Sequence, residues 1–437
     1  MRGVLFRAAD WLVIDGRDKL GNPIYKITPP PWFVVDDILT LPEWDHDTFP
    51  YLNGIIRCPV IAPDGSLVAS PGYHKSSRLY YEPDPKLSIP AIPDQPTDED
   101  NARAKDLFFK ELFIDFPFKE QADRANALAF LLTPFVRSLI KGPTPMGIID
   151  APVQGTGKGL LALCIGIVAA GEVRATPMPT AKEEWQKTIT ALLVSSAQVV
   201  LFDNMTGVLY SPDLAAVLTA EVWSARLITT PEMVNLPVMC LWLGTANNLD
   251  AKEDMPRRIV IIRMDAGMEK PDEREPGSFR HKDLLSWARE HRGDLIWAAL
   301  VLVRAWLSRG RPDGPQNMGS YESWSRILGG ILQVAGVPGF LKTQQARRKT
   351  SDSDSALWRA FCNAWYDKFA GSIKGVKDLF DVVEAGELLP GVLNADTELG
   401  RRQQFGNRLK ERIDRVYGDK KIVYEGDDNS GRKLYKP

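Results

Sequence analysis

Cysteine and histidine are scarce, with four of each in 437 residues. Cys58, Cys164, Cys240 and Cys362 lie far apart without a CxxC pair, and His46, His74, His281 and His291 form no metal-ligand spacing. Four scattered cysteines suggest neither a zinc site nor a disulfide framework, and the chain fits a reducing compartment. Net charge is nearly absent at −2, so any nucleic-acid surface must be local. Long apolar runs are missing as well. Leu160 to Ala170 and Leu295 to Val303 are too short to span a bilayer. Met1 to Val13 carries arginines and an aspartate but no signal-peptide core. The expectation is a cytoplasmic protein with no membrane partner.

The apolar content is 44% and the charged content 25%, the balance of a soluble globular chain. The length allows roughly two to four domains. Residues 1 to 95 are proline-rich, with strand-like pieces between Asn53 and Tyr81 and a turn at Pro63-Asp64-Gly65. The acidic stretch Ile92 to Asp100 reads as a linker. Helical patterns cover Ala102 to Ile114 and Lys119 to Ile140. Strands and helices then alternate: a strand at Met146 to Asp150, a helix after it, a helix at Glu183 to Leu193, strands at Gln198 to Phe202, Val238 to Gly244 and Ile259 to Met264, and a hairpin at Arg226 to Pro237. That alternation predicts an α/β fold with a largely parallel sheet. Helices are expected at His281 to Arg309 and Tyr321 to Val334, and a second linker at Lys342 to Ser355. Three helices (Leu357 to Phe369, Val376 to Ala385, Gly400 to Val416) and two short strands (Lys421 to Glu425, Lys433 to Tyr435) make a winged-helix pattern.

The segment Pro152-Val153-Gln154-Gly155-Thr156-Gly157-Lys158 sits between the first strand of the alternation and an apolar helix. Glycines there let backbone N–H groups approach phosphates, the helix start adds positive dipole, and Lys158 reaches the terminal phosphates. Gln154, Gly155, Thr156, Gly157, Lys158 and Gly159 are the nucleotide-binding candidates, and the alternative is an ordinary glycine turn. Pro152 replaces the usual first glycine, and Gly159 replaces the Ser/Thr whose hydroxyl ligands Mg²⁺. Val199-Val200-Leu201-Phe202-Asp203-Asn204 is an apolar strand ending in an acid, which sets a carboxylate beside the phosphates to hold Mg²⁺. Leu243-Gly244-Thr245-Ala246-Asn247-Asn248 ends a strand in amides that can contact a γ-phosphate or its attacking water. Asp254-Met255-Pro256-Arg257-Arg258 places paired arginines before a strand, as an arginine finger or as solvated surface charge.

Taken in order, the phosphate loop, Glu183-Glu184-Trp185-Gln186-Lys187, Val200-Leu201-Phe202-Asp203-Asn204, Thr245-Ala246-Asn247-Asn248 and Arg257-Arg258 resemble the superfamily 3 type of AAA+ helicase. The resemblance is to the helicase portion of primase–helicase replication proteins of phages and mobile elements. Phe49-Pro50-Tyr51-Leu52-Asn53-Gly54 and Gly319-Ser320-Tyr321-Glu322-Ser323-Trp324 are similar to segments flanking that motor. The resemblance implies a homo-hexameric ring binding ATP and Mg²⁺ between subunits and moving single-stranded or forked DNA. It implies Lys158 on the phosphates, Asp203 at Mg²⁺, Asn247 as sensor and Arg258 or Arg257 as finger. Lys187 matches a basic helix position, and Arg226 to Pro237 falls where such motors place a pore hairpin. The implied layout is an adaptor or collar at 1–100, an AAA+ core at 101–270, a helical extension at 271–345 and a winged helix at 346–437. Asn204 stands where many relatives carry a catalytic glutamate, and an amide cannot take a proton, so a base would come from Glu183 or Glu184. Residues 1 to 95 leave no room for a full primase–polymerase domain, so priming would need a separate partner.

Residues 401 to 437 hold 11 Lys/Arg against 6 Asp/Glu, a local charge of +5. Arg408 and Arg412 on a helix and Lys420, Lys421, Arg432 and Lys433 beside the wing suit duplex phosphates. Phe405, Leu409, Ile413 and Val416 would pack the opposite face. The competing reading of the whole chain is a nucleotide-binding assembly factor or regulator that turns ATP over poorly, or a structural subunit beside a competent helicase.

Overall fold

The computed structural model describes residues 10–39, 50–226, 233–252, 254–275, 277, 279–390, 392–428 and 431–437. β1 (Leu12–Arg17) and β2 (Pro23–Ile27) form an antiparallel hairpin, followed by helix α1 (Trp32–Leu39). The short strands expected between Asn53 and Tyr81 are present: β3 (Gly54–Ile56), β4 (Val60–Ile61), β5 (Leu67–Val68), β6 (Gly72–His74) and β7 (Leu79–Tyr81). β7 lies between β3 and β6, and β4 pairs with β5 around a turn in which Asp64 accepts from the Ser66 N–H.

The acidic stretch read as a linker ends inside α2 (Asp98–Asp106). Thr97 caps the Asp100 N–H while the Asp100 carboxylate accepts from the Thr97 N–H, so the acids form a capping box and favour the positive helix end. A π turn, Leu107–Leu112, leads toward α3 (Gln121–Val136).

The core then follows as β8 (Met146–Ala151), α4 (Lys158–Ala170), β9 (Ala175–Pro177), α5 (Lys182–Val194), β10 (Val199–Met205), β11 (Val208–Leu209), α6 (Pro212–Val217), β12 (Val222–Arg226), β13 (Met233–Pro237), β14 (Leu241–Asn247), β15 (Asp250–Ala251), α7 (Met255–Arg258) and β16 (Ile259–Arg263). Five strands make one parallel sheet in the order β16-β8-β14-β10-β9. The fold is thus mixed α/β around a central parallel sheet. β8 is buried along its whole length, as expected of a parallel strand covered on both faces. Ile149, Leu201, Leu243 and Ile262 join the larger core with α3 and α4. Ile148, Val200, Phe202 and Trp242 join the second core with α5 and α6. The chain leaves β8 for the far edge at β9, returns through β10 and β14, and ends at β16 on the other side of β8. Open α/β sheets bind ligands where the strand order reverses in this way.

Beyond the sheet come α8 (Leu284–Glu290), α9 (Arg292–Ser308) and α10 (Glu322–Val334). The single helix expected over His281 to Arg309 is therefore two, meeting at His291. The chain at 88–91 straps across α9, where Trp297 donates its indole N–H to the Ala91 carbonyl at 3.1 Å. A Cβ on Gly293 would lie 1.8 Å from the Ser88 carbonyl oxygen. Gly293→Ala is expected to lower stability by about 1–3 kcal/mol, read as a drop in the denaturant midpoint, because two backbones must part. An unchanged midpoint would show that the strap does not bear on α9.

The stretch 342–355, read as a linker, is helical. α11 (Lys342–Phe369) runs through it without a break. Its start is rich in Lys, Gln, Ala and Arg, which favour helix without an apolar stripe, so periodicity missed it. β17 (Lys374–Gly375), α12 (Val376–Ala385), α13 (Glu398–Lys410), β18 (Val416–Tyr417), β19 (Lys420–Lys421), β20 (Val423–Asp427) and β21 (Lys433–Lys436) follow. β17, β21 and β20 form an antiparallel sheet beside the helices, around a core of Trp358, Phe361, Trp365, Phe380 and Phe405. The last helix is shorter than expected. Arg415 to Ile422 instead carries the small β18–β19 ribbon.

Candidate functional site

The phosphate-loop segment lies at the carboxyl edge of the sheet, between β8 and α4. Gly155 (φ 74°) and Gly157 (φ 89°) take left-handed backbone that glycine alone adopts freely. They turn the chain tightly into α4, so the helix N-terminus faces out of the sheet edge. Thr156 Oγ1 donates to the Val153 carbonyl at 2.8 Å, and Lys158 Nζ donates to the same oxygen at 3.0 Å. Lys158 is only 9% exposed. Burial draws its pKa below the ordinary lysine value, Asp150 and Asp203 push it back up, and Arg263 opposes them. The ammonium thus sits between two carboxylates with no direct ion pair among the described residues.

Asp203 projects from β10 on the same face as α4. A Cβ on Gly159 would stand 3.7 Å from Asp203 Oδ1, so the missing Ser/Thr position looks at this carboxylate. Thr245 on β14 donates to Asp203 Oδ1 at 2.5 Å and accepts from the Asn204 N–H at 2.7 Å. This threonine locks the acid strand to its neighbour and orients the carboxylate, and Asp203 Oδ2 makes no hydrogen bond among the described residues. Asn204 adopts φ 51°, which turns its own side chain outward, to an exposed position. Asn247 ends β14, and its amide oxygen is buried without a partner. An orphaned polar atom costs about 1–3 kcal/mol, which a ligand or a water would offset.

A second network joins the loop strand to its neighbours. Asp150, buried beneath the loop, forms an ion pair with Arg263 of β16 and accepts from the Leu249 N–H at 3.2 Å. Arg263 also donates to the Asn248 amide oxygen at 2.7 Å. Phe116 lies 3.5 Å from the Cβ position of Gly157, and Asp272, on the turn Pro271–Glu273, lies 2.9 Å from that of Gly155. Thr245, Asp150, Arg263, Phe116 and Asp272 were missed as site residues. Asp150 carries the one signal that sequence offered, a charge inside an apolar strand.

The structure brings Gln154 to Gly159, Asp203, Asn204 and Asn247 to one sheet edge. Arg257 and Arg258 lie at the other edge, since α7 precedes β16 and Ile259 pairs with Met146 at the start of β8. The two edges are about 17 Å apart along a five-residue strand. Arg258 donates to the Ala215 carbonyl at 2.8 Å and to Thr219 Oγ1 at 2.7 Å. Arg257 is 76% exposed and, among the described residues, pairs only with Asp254. Glu183 is exposed at the start of α5, whereas Glu184 pairs with Lys187 at 3.0 Å. The β12–β13 hairpin exists and begins earlier than expected, at Val222. Arg226 ends β12, and the tip, 227–232, lies outside the described residues.

Among the basic C-terminal candidates, Arg412 packs over the Trp358 ring at 4.5 Å, and Lys420 covers Tyr366 at 5.0 Å while pairing with Asp419 at 2.9 Å. Both are engaged in packing. Arg408 pairs with Glu411 at 3.3 Å and Lys421 with Asp414 at 2.7 Å, but their side chains stay about half exposed. Arg432 is exposed and Lys433 partly so.

The residues fit a nucleotide with a divalent cation: a glycine cradle, a buried lysine and a carboxylate with an open oxygen. Gly159→Ser tests the one gap in that set. The position is helical and its Cβ has ordinary contact distance, so the hydroxyl should reach toward Asp203. Gly-to-Ser here is expected to tighten Mg²⁺ dependence several-fold, seen as a lower Mg²⁺ concentration for half-maximal nucleotide binding. A higher requirement would mean that the site uses no hydroxyl ligand.

No protein-family model matches this chain, and no curated protein matches it. Among solved structures, the JCV helicase with a bound thiazolopyridine acetamide aligns at 14% identity and a TM-score of 0.24, covering 55% of this chain and 67% of that one. A second structure of the JCV helicase aligns at 15% identity and a TM-score of 0.20 with the same coverage. Values this low carry no argument about activity, and the site geometry has to carry it.

Proposed function

We propose that this chain is an ATP-driven DNA helicase or translocase that works as a homo-hexameric ring in replication of a phage or mobile element. The observation that carries the reading is the convergence of Lys158, Asp203 and Asn247 at one sheet edge, with an exposed arginine at the opposite edge. That layout cannot complete one site within one chain, but neighbours in a ring complete each other's.

In this reading the loop N–H groups and the start of α4 hold the ATP phosphates, and Lys158 neutralises the terminal ones. Asp203 would hold Mg²⁺, which would supply positive charge to offset that of the phosphates. Thr245 keeps the Asp203 carboxylate oriented, and Asn247 positions the attacking water. Asn204 cannot accept that water's proton, which leaves Glu183 as the better-placed free carboxylate. Arg257 reaches the neighbouring subunit's nucleotide, because Arg258 is engaged within its own chain. Residues 1–100 act as adaptor or collar, 101–270 as AAA+ core, 271–345 as helical extension and 346–437 as a winged helix. Single-stranded or forked DNA would meet the β12–β13 hairpin in the pore, the exposed cations Arg408, Lys421 and Arg432, and the partly exposed Lys433. A separate primase or polymerase would supply priming.

Gly159 and Asn204 favour a second reading, a nucleotide-binding regulator with poor turnover. Steady-state ATP hydrolysis with Mg²⁺, with and without single-stranded DNA, separates the two. DNA-stimulated turnover together with nucleotide-dependent rings supports the motor. Tight nucleotide binding without turnover overturns it in favour of the regulator.

A further inference from the structure

A cavity of about 220 Å³ lies at the amino edge of the sheet, the end away from the phosphate loop. The segment 52–56, the ends of α3 and α5 and the base of the β12–β13 hairpin enclose it. Ile56, Leu79, Leu193 and Leu236 supply apolar walls. Arg137 also lines it and is only 7% exposed.

Arg137 is a buried cation whose charge Glu221 supports only from beyond ion-pair distance. Its Nη1 donates to the Ile140 carbonyl at 3.0 Å and its Nη2 to the Val238 carbonyl at 2.8 Å. Its Nε is buried with no partner. No carboxylate forms an ion pair with it among the described residues. The neighbouring Cys240 thiol is pushed up to about 12 by burial, so it stays neutral and offers no counter-charge. A buried guanidinium in this state is costly unless something anionic joins it. Two amide side chains, the part-buried Gln198 and the exposed Asn235, also line the space. Gln198 uses its amide oxygen on the Arg57 N–H at 3.0 Å, and Asn235 uses its own on the Ser224 hydroxyl at 2.6 Å. The amide nitrogens of both remain without partners among the described residues.

We propose that this cavity binds a small organic monocarboxylate, its charge meeting Arg137 and the two amide donors, its apolar body filling the Leu193 and Leu236 side. With two of its five N–H groups already on backbone carbonyls and apolar walls beside it, the guanidinium suits a singly charged carboxylate with a hydrocarbon body better than a more highly charged phosphate. Occupancy would brace the hairpin, because Arg137 holds Val238 just past β13 and Asn235 and Leu236 belong to β13 itself. The site stands independently of the ATPase reading.

The test uses the full chain with hexanoate and its neutral isostere hexanamide, followed by calorimetric titration and thermal unfolding. Hexanoate is expected to bind saturably, once per chain, and to raise Tm with the logarithm of its concentration. Hexanamide should bind at least about tenfold more weakly. Arg137→Gln should abolish the preference for the acid. If that variant does not fold, Ser138→Phe fills the cavity while leaving the Arg137 carbonyl bonds in place, and should abolish binding. No saturable binding to the wild type, equal affinity for acid and amide, or full binding by Ser138→Phe would each overturn the proposal.

Discussion

Lys158→Ala is expected to reduce DNA-stimulated ATP hydrolysis to background, a loss of about 10³-fold. Among the described residues the lysine is the one buried cation of the loop, and Asp203 opposite it makes no hydrogen bond with its second oxygen. Removing it leaves the developing phosphate charge facing Asp150 and Asp203 without compensation. The fold should survive, since the side chain's single hydrogen bond runs to the Val153 carbonyl and its charge is held at a desolvation cost. Thermal unfolding therefore serves as the control. Hydrolysis that persists in a folded Lys158→Ala protein would remove the phosphate loop from the mechanism.

The second large effect separates the paired arginines. Arg257→Ala should leave nucleotide binding intact and cut turnover by about 10³-fold or more, the range for losing a finger. Arg258→Ala should act on stability instead, by about 1–3 kcal/mol, through its bonds to Ala215 and Thr219 beside α6. Mixing supplies the stricter measurement. On the proposed reading, subunits carrying Lys158→Ala and subunits carrying Arg257→Ala should each be inactive alone. Mixed rings would then contain interfaces where an intact loop meets an intact arginine, so part of the activity should return. No recovery in demonstrably mixed rings would mean that Arg257 does not act across the subunit boundary.

Much of the candidate site was legible in the sequence because its signals are local. The glycine turn before α4, the acid ending β10 and the amides ending β14 each depend on a few contiguous residues. The pattern of apolar strands alternating with helices likewise announced the parallel sheet. Errors fell where local composition was ambiguous. The acids at 98–100 resemble a solvated linker but cap α2, and the polar start of α11 lacks the stripe that marks a surface helix. Arg412 and Lys420 carry charge suited to phosphates, yet Arg412 lies over the buried Trp358 ring and Lys420 over the half-exposed Tyr366 ring, contacts made by aromatic surfaces distant in sequence.

The sequence by itself determined most of the sheet's strands, the glycine turn before α4 and the absence of a hydroxyl at position 159, because each is written in residues adjacent along the chain. The tertiary structure alone decided which partners those elements meet. Thr245 reaches Asp203 only because β14 lies beside β10, and Arg263 reaches Asp150 only because β16 lies beside β8. It also left Arg257 on the surface beside Asp254 and engaged Arg258 with Ala215 and Thr219. Long-range pairing is settled by packing two apolar cores against one sheet, and that information is spread over the whole chain rather than held in any motif.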